Sequence, residues 1–233
     1  MKDKSAPDYP QSKATDVANI AAQAGVGLIP IVGGAAAPII AAIVAAPLEK
    51  RRADWFNRLA EGLDELQDRF EGFNPQELGE NEDFVSAVYA TTDAAMRASR
   101  ESKRERLANV IFNIAMGNNI NDALRERFIN LVHQFSDEHI LLLTIGRNPK
   151  SIPRLVERVK GMISGGRRGV YLEELGQHGI SDAVFSVVAA DLEREDLIKG
   201  GFNVMMTSQG ILNPITTDLG NAFLDFITTP LEE

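Results

Sequence analysis

From Val17 to Leu48 the chain carries no charged residue, a run of 32 positions bounded by Asp16 and by Glu49-Lys50-Arg51-Arg52. So long an uncharged stretch has to be covered, by protein or by lipid. About 20 consecutive apolar residues make a membrane-spanning helix, so the length suffices. The composition opposes a simple span, because Gly25, Gly27, Pro30, Gly33, Gly34 and Pro38 stand in the middle, where they break a helix into two arms. The predicted arms, Val17 to Leu28 and Ala35 to Ala46, are each about 18 Å long at the helical rise. Neither alone crosses a hydrocarbon core of about 30 Å. Ala21 and Gly25 in the first arm, and Ala37, Ala41 and Ala45 in the second, recur at spacing four and let helix backbones approach closely.

Three readings of this stretch follow. It is a buried helical hairpin or an oligomer interface, or a membrane-inserting hairpin with Lys50, Arg51 and Arg52 as its interfacial anchor. A flexible linker is the third, and the frequent Ile and Val fit it least. Residues 1–16 are of mixed charge and contain proline, so they read as a flexible leader rather than the basic start of a secretory signal.

The remainder has an ordinary globular composition. The chain has 233 residues, 44% hydrophobic and 24% charged, enough for one large domain or two small ones. With no cysteine, disulfides, thiolate metal sites and cysteine nucleophiles are excluded. A net charge of −9 disfavours a surface given over to phosphate.

After Pro47, expected in the first turn of a new helix, Trp55, Leu59, Leu63, Leu66 and Phe70 mark one apolar helical face opposite a strongly acidic one. Asp64 and Asp68 lie one turn apart, but no histidine joins them as a metal site. Asn81 is the expected N-cap of a helix facing inward with Phe84, Val88, Thr91, Ala95 and Met96. Leu107, Val110, Ile111 and Ile114 continue the pattern. Arg97, Arg100, Lys103, Arg104 and Arg106 form a basic ring expected to pair with the preceding acidic helix. A helix from Asn121 to Phe135 completes a bundle. His133 and His139 lack the spacing of a helical metal pair and His178 stands alone, so all three are read as structural.

Beyond Ser136, a helix runs to a Gly146 stop, and two more begin near Ser151 and Val170. Ser181 caps a further helix with Val184, Phe185, Val188 and Leu192 inward. Extended pieces near Val204 and over Ile211 to Ile215 are expected to flank a loop at Thr207–Gly210 as a small β-hairpin. Thr216 or Thr217 opens a last helix with Phe223 and Phe226. This order is that of a winged helix. Its recognition helix, however, holds Asp182, Asp191, Glu193, Glu195 and Asp196 against Arg194 alone, which speaks against sequence-specific DNA. Seven cations lie upstream, Arg147, Lys150, Arg154, Arg158, Lys160, Arg167 and Arg168, with Glu157 the one acid among them, and form a candidate anion-binding surface.

Certain pieces carry a resemblance: Ile31 to Gly34, Arg51 to Trp55, the helix from Lys103 to Asn113 with its Lys103-Arg104 start and its Leu107-Ala108-Asn109, and Asp196 to Phe226. In these the chain resembles a family of uncharacterised bacterial helical proteins and, more distantly, the abortive-infection alpha proteins of phage defence. The resemblance brings no catalytic residue with it and implies a defence role.

The expected fold is mainly α: an apolar hairpin and helical bundle over 17–135, then a winged-helix-like module with a small β-hairpin over 136–233. The expected function is a non-enzymatic anti-phage effector acting on the inner membrane through the hairpin. The alternative is a soluble oligomeric adaptor whose winged helix binds protein or nucleic acid. A homo-oligomer, cytoplasmic or peripheral to the inner membrane, without cofactor or metal, is expected in either case.

Overall fold

The computed structural model describes residues 36–118 and 120–232, with side chains over 47–118 and 120–231. The first arm of the expected hairpin, with Gly25, Gly27, Pro30, Gly33 and Gly34, lies outside the described residues. Helix α1 (Ala36–Arg69) begins where the second arm was expected. It does not stop at Ala46, and Pro47 is not in its first turn but inside the helix. Interior proline costs about 3 kcal/mol of helix propensity, which is why it reads as a boundary. Alanines on its N-terminal side, the best helix formers, and a packed amphipathic face beyond it carry the helix through. That face is the expected one: Trp55, Leu59 and Leu66 are buried, with Leu63 and Phe70 packed beside them.

A 3-10 turn (Pro75–Glu80) leads to α2 (Glu82–Arg97), capped as the sequence predicts, since the Phe84 amide donates to Asn81 Oδ1 at 3.1 Å. Helix α3 (Glu101–Ala115) lies against α1, α2 and α4 (Asp122–Gln134). The basic ring at its start does not chiefly meet the acidic face of α1. Arg100 and Arg106 both reach Asp137 at 2.8 Å, Arg97 turns to Asp93, Arg104 to Glu101, and the Lys103 ammonium donates to the His133 carbonyl. From α1, Arg58 crosses to α3 and pairs with Glu101.

Next come α5 (Asp137–Arg147), α6 (Pro153–Val159), α7 (Arg167–Gly176) and α8 (Asp182–Arg194). Gly146 is no stop but a helical residue whose Cβ would stand 2.7 Å from the Ile215 side chain. The small sheet is real but differently paired. Strand β1 (Gly165–Gly166) runs antiparallel to β2 (Met205–Met206), a partner distant in sequence. The expected loop at Thr207–Gly210 is instead a short helix, α9 (Ser208–Ile211), whose Gly210 amide donates to Thr207 Oγ1. Ile198 bridges Thr216. Helix α10 (Asp218–Ile227) has Thr217 as N-cap and is followed by a 3-10 turn (Pro230–Glu232).

One apolar core joins Trp55 of α1 to Phe226 of α10, so no gap in packing separates the bundle from the C-terminal segment. Helix α10 sits against α3 and α5, and its Phe223 meets Phe128 edge-on at 5.3 Å. Its C-terminal carbonyls, which a helix end leaves unpaired, are capped from α3. Asn113 Nδ2 donates to the Phe226 and Thr228 carbonyls at 3.1 and 2.8 Å, and Asn109 Nδ2 to Ile227 at 3.0 Å. Asn109 and Asn113 of α3 are thus where the C-terminal end of α10 docks.

Candidate functional site

The seven upstream cations do not form one basic surface. Arg147 pairs with Asp225 at 2.5 Å, Arg158 with Glu173 at 2.6 Å, Lys160 with Glu157 at 3.3 Å and Arg168 with Asp182 at 2.5 Å. Arg167 is buried, donating to the Gly200 and Gly210 carbonyls at 3.2 and 2.9 Å, and burial pushes its pKa below the ordinary value. Lys150 and Arg154 are left without an ion pair among the described residues. The acids that neutralise this surface come from other elements, so a count along the sequence overstates it.

Of the expected anchor, Lys50 and Arg52 are exposed, while Arg51 donates to the Met96 carbonyl at 2.6 Å and ties α1 to α2. Ala37, Ala41 and Ala45 fall on the backbone of α1, and their side chains lie outside the described residues.

His139 is held structurally. The Ser136 amide donates to its Nδ1 at 3.1 Å, Phe135 stacks on its ring at 4.7 Å, and Nε2 lies 3.3 Å from Asp191 of α8. Because Nδ1 accepts the amide hydrogen, the ring proton is assigned to Nε2, which donates to Asp191. Burial, the largest influence, pushes the imidazole below its usual range against the opposing pull of Asp191. Ser136, His139 and Asp191 share the residue types of a hydrolytic triad, yet the nitrogen facing the Ser136 hydroxyl is already engaged by a backbone amide. The arrangement caps α5 and links it to α8. No group of three metal-ligating side chains occurs among the described residues.

Helix α8 differs from its sequence reading at one telling position. Phe185, Val188, Ala189 and Leu192 are buried, but Val184, expected inward, is 42% exposed and Val187 is 59% exposed. Ala183 and Ala190 extend this outward face. Elsewhere, Met205 of β2 is 72% exposed, as are Val204 just before it at 41% and Ile163 at 91%. The two patches border the start of α7. Gly166 pairs with Met205, while Arg168 reaches Asp182 and Ser186 of α8 and lies over the Phe185 ring at 5.0 Å. Sequence periodicity missed this face because Val184 lies next to the inward row and only packing decides which way it points.

No protein-family model, no curated protein and no solved structure matches the chain.

Proposed function

We propose that the chain is a non-enzymatic interaction module that binds a protein segment bearing apolar side chains flanked by basic ones, through the outer face of α8 and the adjoining strand pair. The observation that carries this reading is the exposure of Val184 and Val187 on α8; of the acids over 182–196, Asp182, Asp191 and Glu195 are paired with Arg168, Arg194 and Arg127, while Glu193 and Asp196 have no ion pair among the described residues. Apolar groups rimmed by charge mark protein-binding surfaces. The acids left over at 193 and 196 disfavour nucleic-acid phosphate and favour a basic partner. Helices α7 and α8 with the small sheet are read as a winged helix turned to protein recognition. In the setting implied by the resemblance to abortive-infection proteins, such a module recruits or senses a partner during phage defence.

The test is an NMR titration of the full chain with a helical Leu/Lys peptide, its Leu/Glu counterpart and a DNA duplex. The Lys peptide should perturb amides 183–190 and 204–206, and Val187→Asp should remove that response. Equal engagement of α8 by DNA or by the acidic peptide would overturn the reading.

A membrane-disrupting role is the alternative proposal, carried by the uncharged Val17–Leu48 stretch. No helix among the described residues is long and apolar enough to cross a membrane. Dye release from anionic liposomes, compared between wild type and a charge-reversed Lys50 and Arg52 variant, tests it. Release by wild type that weakens in the variant supports the role, and no release under any condition removes it.

A further inference from the structure

A cleft of about 320 Å³ lies between α6 and α7, apart from the outer face of α8. Its floor is apolar, formed by the buried Leu155 and Val170, and its walls are ionic. Most of these charges cancel within the wall. Arg158 Nε donates to Glu173 at 2.6 Å, and Glu157 takes Lys160 at 3.3 Å. Two groups remain. Arg154 on α6 has no ion pair among the described residues. Glu174 on α7 has a side chain only 10% exposed, with Oε2 buried and without a hydrogen-bond donor. Its other oxygen faces His178 Nε2 at 3.8 Å, beyond hydrogen-bond reach.

A buried carboxylate oxygen without a donor is costly and marks a place where a ligand donor would be repaid in full. Glu174 lines the cleft, and the last torsion of a glutamate is broad, so its carboxylate can rotate to meet a ligand donor there. The residual charges, one cation and one carboxylate on opposite helices, select among ligands. A simple anion would leave Glu174 without a partner, and a simple cation would leave Arg154 without one. A molecule carrying both charges satisfies each wall, and the volume suits one of amino-acid size.

We propose that the cleft between α6 and α7 binds a small zwitterion of the α-amino-acid class, its ammonium donating to Glu174 and its carboxylate held by Arg154. The apolar floor of Leu155 and Val170 receives the side chain. This site is independent of the protein-binding reading of α8.

Thermal shift and calorimetric titration of the full chain test the assignment, with the standard L-amino acids at millimolar concentration as probes. The matched decarboxylated amines and N-acetylated acids serve as single-charge controls. At least one amino acid should raise the Tm, and its amine and its N-acetyl derivative should bind roughly tenfold more weakly or not at all. Glu174→Gln and Arg154→Ala should each weaken binding to a similar degree. Arg154 is exposed, so its variant keeps the test decisive should the Glu174 variant fold poorly. Lys150→Ala, also without an ion pair but outside the cleft lining, and Val187→Asp should bind as wild type does. The proposal is overturned if no amino acid shifts the Tm, if the amines bind as tightly as the amino acids, or if Arg154→Ala leaves binding unchanged.

Discussion

On α3, Asn113 places its buried amide on the carbonyls that end α10, and on α2 the buried Thr91 hydroxyl donates to the Ala87 carbonyl at 2.6 Å. On α7, Arg167 Nε, Tyr171 Oη and Glu174 Oε2 are buried without partners, and they are the only such side-chain atoms among the described residues. Positions 167, 171 and 174 fall on one helical face. Buried polar groups in stable cores are almost always paired. The bundle obeys that rule, and α7 concentrates the exceptions beside a cleft and a strand pair. The contrast teaches that polar groups are satisfied where α10 docks on α3, while the unpaired ones are gathered on α7.

The largest effect should come from the docking side. A Cβ on Gly220 would lie 2.1 Å from the Leu197 carbonyl oxygen, a backbone atom that cannot swing aside. Gly220→Ala should cost about 3 kcal/mol in urea denaturation. Gly166→Ala on β1, where a Cβ meets nothing within 4 Å, should change stability by less than about 0.5 kcal/mol. Equal losses at the two glycines would break the comparison.

Asn113→Ala should come next, at about 2 kcal/mol by the same measurement, because it leaves helix-end carbonyls unpaired within the core. A loss no larger than that of an exposed alanine substitution would show that α10 docks through its apolar face alone.

Acid should weaken the bundle through Asp137. Partial burial pulls its carboxyl upward, but hydrogen bonds from Arg100, Ser102 and Arg106 outweigh that and hold it at about 2. A folded pKa below the unfolded value gives stability that is present above about pH 4 and lost as the pH falls toward 2. Asp137→Asn should flatten the dependence of Tm on pH in that window. His139, pushed down by burial, adds a loss of the same sign that begins as the pH falls below its ordinary value near 6.5.

The smallest effect should separate the two regions most cleanly. Burial raises the Tyr171 hydroxyl to about 12, and its oxygen has no partner. Tyr171→Phe removes that unpaired group while keeping the ring, which packs edge-on to Phe202 at 5.4 Å. Stability should hold or rise by up to about 1 kcal/mol. A clear loss in thermal denaturation would mean that the hydroxyl is satisfied in solution and that α7 resembles the bundle.

What depends on near neighbours in sequence was legible in sequence. The caps read at Asn81 and Ser181, and Thr217 of the two threonines offered, each bind an amide three residues ahead, and the apolar stripe of α1 needs only the helical period. Such interactions are settled within one or two turns, whatever the rest of the chain does. What depends on distant partners was not. Pro47 is carried inside a helix, β1 finds β2 across two intervening helices, and the acids at Asp182 and Asp225 neutralise cations that look like a patch when read in order. The exposure of Val184 and the isolation of Glu174 belong to the same class. Sequence thus determined most of the helices and several of their caps, because local hydrogen bonds and periodic burial act over a few residues. Tertiary structure alone decided which charges cancel and which polar and apolar groups are left without partners, because those outcomes are set by which elements pack together.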